Sequence, residues 1–395
     1  MITSGFSFIA FLLCFAAGVF FIEEKSKSKF FEYVPPLVII YFGAMLMSTF
    51  GVWSLSVGGV KTGAGVARGA LRGAILPSMI FLMLLKCDMR NIIKLGPKML
   101  LAFFSATASI VAGFIVAFMI FKDGLAENSW QAFGALAGSW TGGTQNMVAV
   151  QQALNLNDAG MGYTLLIDSI NYSIWIMMLL FFVSTMSIVK KFNLFNSADT
   201  SVVEDISKKL ADMDKSGRKN VEFLDLFGLL ALALGSGAFF TWVSDFLPQT
   251  QFLTSTTWMI LLATVAGIIG AMTPLGHVPG SKQLSNIMLY TTVALIASSA
   301  NFAELTEAPV YIIAGFVILG VHAIVMLILA KIFKIDLFTC CIASCANIGG
   351  VASSPIIAGA YNEALVPVGV LMGMMGAIIG TGAGLGVAKI LSMLM

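Results

Sequence analysis

The sequence predicts an all-α integral membrane protein with about ten transmembrane helices, two re-entrant hairpins or broken helices, and two repeats of inverted topology. Apolar residues make up 58% of the 395-residue chain and charged residues 11%, whereas roughly a quarter of a soluble domain is charged. Apolar stretches of about twenty residues, the length of a membrane-spanning helix, recur from end to end. Two polar segments with paired glycines, 137–146 and 344–355, lie half a chain apart within apolar sequence.

The transmembrane helices are predicted from these apolar stretches in chain order. In the first half they lie near 3–22, 35–52, 72–87, 99–121 and 160–188, and in the second half near 224–246, 255–274, 286–303, 308–332 and 363–394. No basic residue precedes the first stretch, which is also long, so we expect a first transmembrane helix rather than a cleaved signal peptide. The net charge of +2 is too small to indicate a nucleic-acid partner.

The basic residues predict the orientation, because cytoplasmic loops are rich in lysine and arginine. Such residues follow the first helix at Lys25, Lys27 and Lys29, follow the third at Lys86, Arg90, Lys94 and Lys98, and reappear at Lys190, Lys191, Lys282, Lys331 and Lys334. Both termini are therefore expected outside the cell, in a protein of the cytoplasmic membrane. This topology also places Lys61, Arg68 and Arg72 in an outside loop, and the sequence does not explain why they are there.

The two glycine segments are predicted to be hairpins that enter the membrane from opposite sides. Segment 129–153 begins outside, and the next helix must end at the charged loop 190–222, so the segment returns to the side from which it came. The same reasoning makes 336–362 enter and leave from the cytoplasm. Five helices and one hairpin per half require an inverted duplication. The predicted organisation is a first repeat at 1–189, a cytoplasmic linker at 190–222 and a second repeat at 223–395.

The hairpins are the predicted substrate site. Helix breaks with polar side chains persist in a bilayer only where they line a cavity or pack in protein. Free N–H groups at half-helix N-termini suit a carboxylate, and unwound carbonyls and hydroxyls suit a small cation. The candidate substrate-binding residues are Thr141, Gly142, Gly143, Thr144, Gln145, Asn146, Asn347, Gly349, Gly350, Ser353 and Ser354. The alternative is that these small residues only allow close helix packing.

Polar residues inside two other predicted helices are candidates for ion coupling. Asp168 lies within an apolar stretch with Asn171 one turn further on, and Ser298 and Asn301 occupy the corresponding place in the second half. An acid at this depth is functional or paired, with Lys86 as the candidate partner. His322 is interpreted as a contact between helices rather than a proton relay. The sequence contains no nucleophile–base pair, metal-ligand cluster or phosphate loop, so we expect neither an enzyme nor a bound cofactor beyond a coupling ion such as sodium.

Three segments carry a resemblance to a known family. They are 138–149, 346–355, and 85–90 ahead of Gly96-Pro97. Over nearly its full length the chain resembles the YjcL-like family of bacterial membrane proteins, domain-of-unknown-function family 819. That family is similar to the cation:proton antiporter and anion transporter superfamily, which includes the sodium/glutamate symporters. The resemblance implies a homodimer in which a core domain holding both breaks slides against a scaffold domain, as an elevator.

Together these features predict a secondary active transporter for a small organic solute, an anion or an amino-acid-like molecule, coupled to sodium or protons. The paired acids of the antiporters are not reproduced, since Ile167 precedes Asp168. Two alternatives stay open: a cation/proton antiporter without an organic substrate, and a non-transporting membrane receptor or assembly protein.

Overall fold

The computed structural model describes residues 1–26, 30–33, 36–198, 220–250, 253–300, 308–362 and 365–395. Within them nearly all regular structure is helical. The strands in the described part of the chain are β1 (Ser56–Val57) and β2 (Val60–Lys61), a short antiparallel ribbon. The predicted all-α class is confirmed.

The helices are numbered in chain order. In the first half they are α1 (Gly5–Ser26), α2 (Phe30–Tyr33), α3 (Pro36–Thr49), α4 (Gly63–Leu84), α5 (Met89–Ile93), α6 (Gly96–Phe121), α7 (Ser129–Gly142), α8 (Thr144–Ala153), α9 (Asp158–Ser184) and α10 (Met186–Asn196). In the second half they are α11 (Phe223–Ser244), α12 (Ser255–Ala271), α13 (Ser281–Ala297), α14 (Ala308–Phe333), α15 (Leu337–Ile348), α16 (Gly350–Tyr361) and α17 (Val366–Ser392). Single 3₁₀ turns lie at Lys122–Gly124 and Pro274–His277.

Seven helices in the described ranges are long and apolar enough to cross a bilayer: α1, α4, α6, α9, α11, α14 and α17. The shorter α3, α12 and α15 are also apolar. Large apolar side chains such as Phe21, Phe223 and Trp242 are more than half exposed on the outside of the bundle, where lipid rather than water is the natural solvent. The chain is a multi-pass membrane protein.

Helix α4 begins at Gly63, nine residues before the start predicted for the third helix at 72. Four glycines in 63–73 suggested a loop, because glycine disfavours helix interiors. Close packing overrides that preference: a Cβ on Gly65 would lie 2.1 Å from the carbonyl oxygen of Leu55. Arg68 and Arg72 therefore lie inside α4, and the prediction that they lie in a loop is wrong.

Other predicted boundaries move by a few residues. The helix predicted at 286–303 is α13, which ends at Ala297, and the one predicted at 160–188 divides into α9 and α10. Helix α10 extends into the predicted linker as far as Asn196. Most of that linker, 199–219, lies outside the described residues, as do Lys27, Lys29 and the candidate Asn301.

The helices form two groups that pack mainly within themselves. The first, which we call the wall group, contains α1, α3, α4, α11, α12 and α13 around a central α4. The second, which we call the hairpin group, contains α6–α10 and α14–α17, with α17 packed along α7, α8, α15 and α16. Contacts between the groups are sparse by comparison, so the fold provides two bodies with an interface between them.

The bundle has two distinct ends. One end, which we call the arginine end, carries Arg68 and Arg72 near the start of α4 and both chain termini: Ile2 pairs with Trp53 there, and Lys122 Nζ donates to Leu394 O at 2.8 Å. The other end, which we call the lysine end, carries the C-terminus of α4 with Lys86 and the N-terminus of α13 with Lys282.

Candidate functional site

The first glycine segment forms the tip of a helical hairpin. Helix α7 ends at Gly142 and α8 begins at Thr144, separated by Gly143 at φ 95° and ψ 171°. A side chain is strained at that φ, so glycine is required at the break. The two helices then run back to back, because Gln131 Nε2 donates to Leu154 O at 2.8 Å near their far ends.

The second glycine segment forms an equivalent tip between α15 and α16. Gly350 has φ 58°, again in the left-handed region that favours glycine. The rings of Phe338 and Tyr361 stack with centroids 4.6 Å apart at the open end of this hairpin. Asp336 caps α15 there by accepting from Thr339 N at 2.9 Å.

The two tips meet inside the bundle. A Cβ on Gly350 would lie 3.7 Å from Gly143 Cα and 3.8 Å from Gly142 O. The first hairpin opens towards Lys122 at the arginine end, and the second opens towards Asp336 and the lysine end. Four half-helix ends therefore converge at one place, where their unpaired N–H and C=O groups are concentrated.

Helix α17 presents a row of glycines to both hairpins. A Cβ added at any of these glycines would lie within 2.9 Å of hairpin backbone or side-chain atoms: Gly369 and Gly373 against α16, Gly376 against both tips, and Gly380 and Gly384 against the first hairpin. These glycines were not among the predicted site residues. Their spacing of three and four residues puts every member on one helix face, and this small-residue pattern was visible in the sequence.

A cavity of about 680 Å³ extends from the tips towards the lysine end. Six of the predicted substrate residues line it: Gly142, Gly143, Thr144, Gln145, Gly349 and Gly350. Helix α9 contributes Asp168, Ser169 and Tyr172, and the wall group contributes Lys86, Ser285, Asn286 and Lys282 among others. The volume suits a small organic molecule.

Asp168 reaches this cavity with one carboxylate oxygen engaged and the other open. Its Oδ1 accepts from Trp140 Nε1 at 2.9 Å and from Ser139 Oγ at 3.2 Å. Its Oδ2 has no donor among the described residues and is not sealed from the cavity. The ion pair with Lys86 is not formed, because Lys86 Nζ donates to Gly276 O and Val278 O, each at 2.9 Å.

Helix α9 is bonded to both hairpins. Asp168 holds Trp140 of the first hairpin, and one turn later the Tyr172 hydroxyl forms a short hydrogen bond with Ser353 of the second. Ser353 thus contacts the cavity through Tyr172, which lines it. Tyr172 was not among the predicted residues, although its position one turn beyond Asp168 could have indicated it.

Several predicted substrate residues do not line the cavity. Each is buried and bonded to protein: Thr141 Oγ1 donates to Ala137 O at 2.7 Å, Asn146 Nδ2 to Gly142 O at 2.8 Å, Asn347 Nδ2 to Ala343 O at 2.9 Å, and Ser354 Oγ to Gly350 O and Gly369 O, both at 2.7 Å. Neighbouring helices also use the amides, since Thr381 donates to Asn146 and Thr107 to Asn347. These side chains satisfy backbone carbonyls near the breaks, which is a structural role.

Among the described residues, the other two ion-coupling candidates, Asn171 and Ser298, do not join Asp168. Asn171 Nδ2 donates to Ile312 O of α14 at 3.2 Å, and its Oδ1 is buried without a donor among the described residues. Ser298 lies at the arginine end, where its carbonyl accepts from Trp53 Nε1 at 2.7 Å and Ser48 Oγ at 2.8 Å. The expectation that Asn171 shares the surroundings of Asp168 is therefore wrong.

His322 bridges two helices of the hairpin group. Its Nδ1 lies 2.6 Å from Ser109 Oγ and its Nε2 lies 2.8 Å from Ser344 Oγ. Ser109 donates its proton to Ala106 O, and Trp175 Nε1 donates to Ser344. Because the proton of Ser109 is donated to Ala106, Nδ1 of His322 carries a proton and donates it to Ser109 Oγ. The Ser344 hydroxyl, which accepts from Trp175, donates to Nε2. Every polar atom of a neutral imidazole is then satisfied, as expected for a contact between helices.

At the arginine end a second polar cluster surrounds Asp158. Its Oδ2 lies 3.0 Å from Arg68 Nη2, and its Oδ1 lies 3.9 Å from Arg72 Nη1. Arg72 Nη2 also donates to Gln151 Oε1 at 2.9 Å, and Ser299 Oγ hydrogen-bonds both Arg68 and Asp158. We call Arg68, Arg72, Gln151, Asp158 and Ser299 the arginine cluster. The cluster explains the presence of Arg68 and Arg72, which the sequence alone does not explain.

The comparisons with known proteins agree with a membrane protein. A family model described as "Protein of unknown function (DUF819)" matches residues 10–394. The chain belongs to this family. It is also 23% identical, over 375 residues covering 91% of this chain and 90% of the relative, to "Uncharacterized membrane protein YjcL" of Bacillus subtilis (strain 168). Neither description names a substrate or an activity.

Proposed function

We propose that this protein is a secondary active transporter that moves a small organic solute across the membrane by alternating access. The meeting of two hairpin tips beside a cavity is the observation that supports this most strongly. Half-helix ends that converge inside a bilayer supply N–H and C=O groups to a ligand without a loss of secondary structure elsewhere. The sparse interface between the wall group and the hairpin group would allow one to slide against the other.

The charges on the cavity wall support a solute that carries an anionic group. Lys86 and Lys282 line the cavity, as do the first turns of α8 and α16, whose N–H groups favour anions. Asp168 offers its open oxygen to a cation, which we propose is the coupling sodium ion or proton. An anionic or amino-acid-like solute moving with that cation fits both kinds of group, without chemical conversion of the solute.

We further propose that the protein acts as a homodimer in the cytoplasmic membrane. The lysine end would face the cytoplasm, since Lys86, Arg90, Lys94, Lys98 and Lys282 lie there. Both termini would then lie outside, at the arginine end.

Uptake in proteoliposomes tests the proposal. Purified protein is first screened by thermal shift against carboxylates, amino acids, peptides and sugar acids, with and without sodium. A solute that stabilises the protein is then tested for uptake driven by a sodium or proton gradient. Sodium–proton exchange that needs no solute would instead identify a cation/proton antiporter. The absence of both flux and a solute-dependent thermal shift, under every gradient, would favour a receptor or assembly protein.

Replacement of Gln145 provides a prediction for the binding site. Gln145 lies at the tip of the first hairpin and lines the cavity. The change Gln145→Leu is expected to raise the apparent dissociation constant of the solute about fivefold to tenfold, since one hydrogen bond contributes about 1 kcal/mol. Gln283→Leu is the matched control, because Gln283 is exposed on α13 and does not line the cavity. If the two changes altered the apparent dissociation constant equally in a thermal-shift titration, Gln145 would not be part of the binding site.

A further inference from the structure

We propose that the arginine cluster is a lock that holds the two helix groups together at the arginine end, so that the cavity opens at the lysine end. The lock would have to open before the cavity is exposed to the opposite side. This inference rests on the proposed transport function, since only alternating access requires the lock to open.

The contacts of the cluster cross the interface between the groups. Arg68 and Arg72 belong to α4 of the wall group, whereas Asp158 begins α9 and Gln151 lies in α8 of the hairpin group. Tyr41 of α3 adds another crossing contact, because its hydroxyl donates to Asp158 O at 2.7 Å. Asp158 therefore joins both groups through its side chain and its backbone.

Arg68 is itself held by the wall group. Its Nε donates to Leu295 O at 2.7 Å, close to the C-terminus of α13. The guanidinium is therefore fixed to α13 on one side while it binds Asp158 on the other. Arg68 is thus a donor fixed to the wall group, and it binds an acceptor at the first turn of α9 in the hairpin group, as the lock requires.

The two ends of the molecule differ in the ion pairs that connect the two helix groups. Among the described residues, the ion pairs that connect the groups both use Asp158, and the remaining pair joins Arg90 to Asp88, two residues apart. At the lysine end, Lys86 donates to Gly276 and Val278, which belong to the wall side itself. The cavity reaches this end, between α4 and α13 on one side and the hairpin tips on the other.

The charge balance makes Asp158 the sensitive member of the cluster. Two guanidinium groups share this one carboxylate, and the side chains of all three residues are only 17–20% exposed. Removal of the carboxylate would leave two neighbouring positive charges at a poorly hydrated interface. Both arginines lie on α4, so separation of the groups leaves them side by side but lets in water, which hydrates and screens the two charges.

A purely local role for Asp158 is the competing interpretation. An acid in the first turn of a helix stabilises that helix, and Asp158 directly follows the N-cap residue Asn157. This role predicts a lower melting temperature for Asp158→Asn with no change in the arrangement of the groups. The two interpretations therefore differ in a distance between groups rather than in stability.

The test is a distance measurement between the groups at the arginine end. Spin labels are attached to cysteines at Val66, which is 58% exposed on α4, and at the exposed Glu127 ahead of α7. The exposed Cys14 and the cavity-lining Cys87 are first replaced by serine. Electron–electron double resonance then gives the distance distribution in nanodiscs, with labelled protein diluted in unlabelled protein.

We expect Asp158→Asn to raise the population of a second distance about tenfold relative to the protein with Asp158. Asp88→Asn is the matched control, because it removes an ion pair by the same chemical change within one short segment, and it should leave the distribution unchanged. Arg72→Gln, which loses the 3.9 Å pair and keeps the 3.0 Å pair, should shift the distribution in the same direction but less. If Asp158→Asn does not fold, the distance distribution of Arg72→Gln tests the lock instead.

An unchanged distribution in folded Asp158→Asn or, failing that, in Arg72→Gln overturns the lock, even if the protein takes up solute. A shifted distribution supports the lock. If the shift occurs but the unsubstituted protein moves no solute or ion, the transport function is wrong while the lock between the two groups stands.

Discussion

Gly376→Ala is expected to destabilise the protein severely, although the change adds one methyl group. The added Cβ would lie 2.5 Å from Thr141 O and 2.8 Å from Ala346 O, one in each hairpin. Both contacts are with backbone oxygens, so no side-chain rotation relieves them. Overpacking of a well-packed core costs about 1–3 kcal/mol and sometimes more, and here either α17 must move away from the tips or the tips must separate.

Gly382→Ala is the control for this prediction, because Gly382 lies on the same helix and its Cβ would meet no atom within 4 Å. Melting temperature and the yield of monodisperse protein in detergent are the measurements. Gly376→Ala should lower both, while Gly382→Ala should change neither or slightly raise the melting temperature by favouring the helix. Similar melting curves for the two variants would contradict the close packing of α17 against the tips.

The hairpins were predictable because the charged loops favour a return of each glycine segment to the side from which it came. A polar segment between an outside loop and a helix that ends in a cytoplasmic loop has to return to its starting side, and the paired glycines locate the turn. The structure places the breaks at Gly143 and at Gly349-Gly350, within those segments. The inverted repeats and the division at 190–222 remain predictions from the same reasoning.

Partners within the site could not be derived from the sequence. Asp168 and Asn171 are one turn apart, but a separation of three residues leaves side chains at different angles, and the neighbouring helices decide which one meets the cavity. Asn146 and Asn347 are polar residues beside glycines, and the sequence does not reveal that Thr381 and Thr107 would bind them. The amides therefore turned out to be supports for the breaks rather than cavity-lining groups.

The arginine cluster shows a second limit, which concerns long-range pairing. Arg68 and Asp158 are 90 residues apart, and Arg68 and Ser299 are 231 apart. Glycines around Arg68 favoured a loop on local preference alone. The packing of α4 against the residues before it and against α13 stabilises this segment as a helix and brings the two arginines to the carboxylate.

Asp168→Asn is expected to abolish gradient-driven uptake while the protein stays folded. The asparagine oxygen can accept the same two hydrogen bonds from Trp140 and Ser139 that Asp168 Oδ1 accepts, so the link between α9 and the first hairpin persists. The negative charge is lost, and a neutral amide neither exchanges a proton nor attracts a cation as a carboxylate does. Uptake should fall by about a hundredfold or more, which corresponds to about 2.7 kcal/mol of lost cation binding.

The measurement compares initial uptake rates in proteoliposomes under a sodium gradient, a proton gradient and both. Asp123→Asn makes the same chemical change at an exposed residue in the turn after α6, and it should retain uptake. Under sodium coupling, the Asp168→Asn variant should also lose the thermal shift that sodium produces. Under proton coupling, it should lose the acid dependence of uptake and keep solute binding. Full gradient-driven uptake by Asp168→Asn would instead require the coupling ion to bind elsewhere, and the open oxygen of Asp168 would then serve the solute or the structure alone.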